Sequence, residues 1–77
     1  AVQVCVTSGA KHSLHNICNC ILEAGDEAMF FAPYWVSYPD MLALTGAKPV
    51  VVETKFENTF EIDVTDLEKH ITAKTKA

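Results

Sequence analysis

Valines at positions 2, 4 and 6 alternate with Gln3 and Cys5 until Thr7-Ser8-Gly9 breaks the rhythm, which predicts a strand running into a turn. From Lys11 the period changes. Leu14, Ile17, Cys18, Ile21 and Leu22 fall three and four apart, one stripe along a helix that Gly25-Asp26 is expected to end. Ala28 to Ala32 is wholly apolar, the pattern of a strand buried on both faces of a parallel sheet. Ser37 offers a cap to a second helix, with Pro39 in its first turn, Tyr38, Met41 and Leu42 facing inward, Thr45 at the margin and Gly46 as its end. Pro49 to Glu53 reads as a third strand, and the polar stretch Thr54 to Thr59 as a loop. Thr65 and Glu68 then form a capping box before a short helix whose Leu67, His70 and Ile71 share one side. Strands alternating with helices predict an α/β layer of parallel strands joined by right-handed crossovers.

Composition narrows this picture. Seventy-seven residues allow one small domain. A chain of that size buries only about 60% of its unfolded surface, so dimerisation, further sequence or a ligand is expected to support it. At 49% hydrophobic and 21% charged it reads as globular, and its apolar runs are far too short to span a bilayer. Ten acids against six lysines and no arginine, a net charge of −4, disfavour a nucleic-acid partner. Cys5, Cys18 and Cys20 are odd in number among apolar neighbours, which fits small buried hydrophobes in a reducing compartment. No basic region followed by an apolar core marks a signal peptide, so a cytoplasmic location is expected.

Two stretches carry candidate chemistry. At Ser8-Gly9-Ala10-Lys11 a strand hands over to a helix through small residues, and a helix N-terminus offers unpaired N–H donors and about half a positive charge to an anion. It is not a nucleotide P-loop, because Cys5 and Ala10 stand where that motif needs glycine and His12 where it needs a hydroxyl. The second stretch is Ala32-Pro33-Tyr34-Trp35-Val36-Ser37-Tyr38-Pro39. Its prolines stiffen a turn that presents aromatic rings, which suits either a core tryptophan or a platform for a planar ligand. His12, His15 and Cys18 make a row on one helix, but three ligands on adjacent turns cannot surround a tetrahedral ion, so no metal site is assigned. The scattered carboxylates read as a solvated face, with no general acid or base among them.

The segments VTSGAKHSL, EAGDEAMFFAPYWVSYPDM, GAKPVVVET and ITAKTKA resemble the fold-type-I, pyridoxal-phosphate-dependent aminotransferases of class I/II, in particular the bacterial-type aspartate aminotransferases. The resemblance runs from Val4 to the end. It implies that residues 1–77 are part of the large, cofactor-binding domain, a fragment of its three-layer parallel-sheet fold. Gly9, Ala10 and Lys11 would then offer backbone amides to the phosphate of pyridoxal 5'-phosphate, with Ala10 where a second glycine is common. Trp35 would lie over the cofactor ring and line the substrate pocket. Amino acids and 2-oxo acids would be the substrates, and a homodimer or higher self-association is expected. The Schiff-base lysine, the acid facing the pyridinium and the substrate-binding arginines would lie outside this stretch, so the fragment is expected to carry no catalytic residue and to be inactive alone. In that fold the first strand here is separated from the next two by strands supplied later. The other reading from the residues alone is a self-contained small α/β module that binds a phosphorylated ligand without catalysis.

Overall fold

The two apolar runs become the sheet. In the computed structural model, which describes residues 2–77, β1 (Glu27–Ala32) lies parallel to β2 (Lys48–Glu53), in register from Glu27 opposite Lys48 to Ala32 opposite Glu53. Helix α1 (Gly9–Ile21) precedes β1, α2 (Ser37–Leu44) joins the strands, and a single turn of 3-10 helix (Phe56–Asn58) leads to α3 (Val64–His70). The last residues add a third line of pairing. Glu27 N–H donates to the Lys74 carbonyl (2.8 Å), Lys76 N–H to the Glu27 carbonyl (2.8 Å) and Met29 N–H to the Ala77 carbonyl (2.9 Å), so the C-terminal segment runs parallel along the free edge of β1.

Side chains alternate across a strand, and that alternation sorts the layers. Ala28 and Phe30 point to the face covered by Leu22, Leu42 and Ala47, with Cys18, Tyr38 and Val51 packed at the margin. Val52, one position on from Val51 and only 2% exposed, therefore belongs to the opposite face, and α3 lies against β2. These are three layers around parallel strands: the parallel α/β arrangement is the one the alternation of elements predicts, and the three layers are those the family resemblance implies. Among the described residues no helix is long and apolar enough to cross a membrane.

Several local expectations give way. Val2 to Val6 is not a strand: the segment pairs with nothing in the sheet, and its valines stand exposed. A period of two makes a strand only where a neighbour accepts its hydrogen bonds, and neither β1 nor β2 pairs with this segment. Helix α1 stops at Ile21, well before Gly25. Leu22 turns to extended backbone (φ −108°, ψ 143°) and drops into the core at 6% exposure. Gly25, at φ +95°, sits in the turn that follows, where the Asp26 carboxylate accepts the Glu23 N–H at 2.9 Å. Of the α1 stripe, Leu14, Ile17 and Ile21 remain exposed, because α2 covers only the last turn of that face. The same shortage of covering layers leaves Met29 and Phe31 half-buried and β1 fully covered on one face only. Cys5 and Cys20 are exposed; Cys18 alone packs on the core, since it shares a side with Leu22.

The caps also shift. Ser37 is the first residue of α2 rather than its cap, and no side chain caps that helix. Thr65 lies inside α3, whose cap is Asp63: its Oδ1 accepts the Thr65 N–H at 2.8 Å, which leaves the expected capping box unformed. Replacing Asp63 with alanine is expected to cost about 1 kcal/mol, read as a lowered thermal midpoint, whereas Asp63→Asn, which keeps an acceptor oxygen, should stay close to the parent. Further along α3 the Lys69 ammonium donates to Asp66 at 3.0 Å and, with its charge, holds that carboxyl below the usual carboxylate range. A depressed folded-state value contributes stability above the unfolded value and loses it as pH falls through the folded one; at this exposed pair the effect is small.

Candidate functional site

The turn into α1 is tied at four points. Gly9 takes φ +79°, which a glycine adopts without strain, and its N–H donates to the Thr7 carbonyl at 2.9 Å. The Thr7 hydroxyl donates to the Gly9 carbonyl at 3.0 Å. A hydroxyl has one proton to give, so in the contact between the Thr7 and Ser13 hydroxyls Ser13 is the donor. The fourth tie is from the Ser8 N–H to Nδ1 of His12, at 3.1 Å.

These ties decide which donors remain. The first amides of a helix have no carbonyl within it. Ser8 and Gly9 have found other acceptors, while Ala10 and Lys11 sit in the first turn with their N–H groups outside the helix ladder. Of the three residues expected at an anion, Gly9 therefore shapes the turn, and Ala10 and Lys11 present the open donors.

The aromatic stretch follows β1. Thr54, just past β2, donates its N–H (3.1 Å) and its hydroxyl to the Ala32 carbonyl, which pins the end of β1 where the turn begins. The Ala32–Pro33 peptide is cis. Tyr34 stands edge-on to Phe30 with ring centroids 4.7 Å apart, so it anchors the turn to the core. Tyr38 is half-buried against the core and edge-on to Trp35 at 5.8 Å. Trp35 itself keeps 46% of its surface exposed, which makes it a presented ring rather than a core residue.

Lys11 joins the two stretches. Its backbone amide belongs to the open first turn of α1, and its Nζ lies 4.5 Å from the centroid of the Trp35 ring, within cation–π range. The only Ser-x-x-Lys spacing in the chain, Ser8 to Lys11, is this same turn. The place in the sheet is also telling. The chain leaves β1 through α2 to β2 on one side and comes back past α3 to pair on the other, so Trp35 follows the carboxyl end of the strand about which the order reverses. Open α/β sheets bind ligands in the crevice at such a point. The arrangement thus offers a positive, donor-rich helix start beside a half-open indole, suited to an anion attached to a flat ring.

The row of His12, His15 and Cys18 is occupied internally, with His15 Nε2 2.9 Å from the Asn19 amide and His12 bound to Ser8. Sequence reasoning missed the His12 tie, though its i, i+4 spacing to Ser8 is a local signal. It also missed Lys11 over Trp35, which no local spacing reveals.

Known proteins resemble the chain throughout. Residues 1–77 match the family described as aminotransferase class I and II. The aspartate aminotransferase of Bacillus subtilis (strain 168) is 48% identical over 75 residues, covering 97% of this chain and 19% of that protein. A probable aspartate/prephenate aminotransferase of Rickettsia conorii is 45% identical over 74 residues, 96% of this chain and 18% of that one. Among solved structures, Thermus thermophilus aspartate aminotransferase with maleate superposes with a TM-score of 0.89 at 43% identity, covering 91% of this chain and 18% of that one. The aromatic aminotransferase of Pyrococcus horikoshii gives 0.82 at 36%, covering 87% and 18%. The chain spans about a fifth of the length of the curated relatives it matches.

Proposed function

Because the chain belongs to the class I and II aminotransferases, we propose that it is the cofactor-gripping part of an aspartate-type enzyme that moves an amino group between an amino acid and a 2-oxo acid. Pyridoxal 5'-phosphate, when bound, supplies the aldehyde that takes up the amino group and the ring that withdraws electrons from the reacting carbon. The residues present fit that molecule. The Ala10 and Lys11 amides and the α1 dipole would hold the phosphate, Gly9 would aim them, and Trp35 would offer its face to the ring and a wall to the substrate pocket. The observation that carries this reading is Lys11, whose amide sits at the open helix start and whose ammonium reaches the indole. The chain has no arginine for a substrate carboxylate, and the family resemblance places the reacting lysine outside this stretch, so the amine and the carboxylate clamp would come from elsewhere in the enzyme.

The reading frame that carries this segment provides the test. It is expected to encode a downstream Ser-x-x-Lys and a late arginine, and its product to take up pyridoxal 5'-phosphate with the cofactor's absorbance band. A frame that closes without them, encoding a protein that ignores the cofactor, would return the chain to a self-contained phosphate-ligand module. The 77 residues alone should show no transamination. With Val2, Val4 and Val6 exposed and no strand beyond β2 among the described residues, they should also self-associate, since unpaired edges recruit partners. Light scattering at rising concentration should report a mass above the monomer; a constant monomer would exclude it.

A further inference from the structure

The first turn of α1 holds a residue to which neither the family resemblance nor the sequence pattern assigns a part. His12 is exposed, lies outside the core cluster and makes one polar contact, accepting the Ser8 N–H at Nδ1 from one turn further along the helix. To accept there, the imidazole must be neutral with its proton on Nε2. Ser8 is the residue that would ordinarily cap α1 with its own side chain, and it forms no such bond. The ring thus performs from inside the helix what a cap does from outside: it satisfies one of the orphan donors.

We propose that His12 is a positioning residue of the phosphate site, taking the Ser8 amide out of the cup so that the Ala10 and Lys11 amides meet the phosphate in a turn already set. The proposal rests on the reading that this turn holds the phosphate of pyridoxal 5'-phosphate. Its physical content is preorganisation. With Ser8 tied to the ring and Gly9 tied to Thr7, the backbone on the approach to Ala10 is ordered before the ligand arrives, and the ordering does not weaken binding. Without an acceptor at position 12, the Ser8 N–H is free to turn toward water or toward the phosphate, and the turn must be ordered at binding.

The experiment compares pyridoxal 5'-phosphate with pyridoxal, which lacks the phosphate, as ligands of the full-length protein and of three variants. In His12→Phe the acceptor is lost while the ring volume is kept, and affinity for pyridoxal 5'-phosphate should fall about fivefold, the scale of one net hydrogen bond. Pyridoxal affinity should not move. His12→Asn places Oδ1 where Nδ1 was and should restore parent affinity; His12→Gln carries its acceptor one bond further out and should not. A loss of helix stability alone would weaken both ligands together and would spare neither Asn nor Gln. Unchanged or tighter pyridoxal 5'-phosphate binding by His12→Phe, or an Asn variant as weak as the Phe one, overturns the role of His12. If the parent protein itself shows no preference for the phosphorylated ligand, the phosphate reading falls, and the proposal with it.

Discussion

Truncating Trp35 to alanine is expected to weaken pyridoxal 5'-phosphate binding by about tenfold to a hundredfold while leaving the fold in place. An indole face contributes its buried area and a further stacking term of roughly 0.5–1.5 kcal/mol, and alanine removes both. The fold should tolerate the change because Trp35 is 46% exposed and the turn is held by other groups: Tyr34 on Phe30, Tyr38 on the core and Thr54 on the Ala32 carbonyl. What the apo protein loses is the edge contact with Tyr38 and the cation–π contact with Lys11, the latter about 0.5–1 kcal/mol at an exposed site. Trp35→Phe keeps a smaller aromatic face and should stay within a few-fold of the parent. The loss should be equal for pyridoxal, since the indole acts on the ring and not on the phosphate. Titrations followed by cofactor absorbance decide it: a Trp35→Ala protein that binds as tightly as the parent removes the stacking role.

How much of this was readable without coordinates follows from the range of each interaction. The strands at 27–32 and 48–53 were legible because burial writes itself into short apolar runs, and the fold class followed from their alternation with helices. The glycine turn and Trp35 were legible as local strings. The end of α1 was not, because the competition at Leu22 is settled by side chains far along the chain, Phe30, Leu42 and Ala47, which draw it out of the helix into the core. Val2 to Val6 failed for a related reason: alternation shows that a segment can be a strand, and only a neighbouring strand makes it one. Lys74 to Ala77 is the converse case, a polar stretch with no strand pattern that lines up on β1 because that edge offers unpaired backbone groups. At α3 the expected cap, Thr65, gave way to Asp63 two residues earlier, because the Asp63 carboxylate reaches the free Thr65 amide.

The same distinction of range shapes the sharpest test of the phosphate cup, which removes one backbone donor and no side-chain contact. Ala10→Pro is expected to weaken pyridoxal 5'-phosphate about tenfold to a hundredfold, because a hydrogen bond to a charged group contributes roughly 1.5–3 kcal/mol. Proline is tolerated in the first turn of a helix, where the lost N–H had no partner within it, and its fixed φ suits that turn. Gly9, at φ +79°, precedes it and lacks the Cβ that would clash with the proline ring. Helix content and thermal midpoint should therefore stay near the parent values, and pyridoxal, without a phosphate, should bind as before. Inorganic phosphate should compete with the cofactor less well in Ala10→Pro than in the parent, and equally well in Trp35→Ala. The two substitutions thus separate the halves of the site that Lys11 connects: one acts on the ester and spares the ring, the other acts on the ring whether or not the ester is present. If Ala10→Pro kept full affinity for pyridoxal 5'-phosphate, the start of α1 would not be where the phosphate sits, however close Lys11 lies to Trp35.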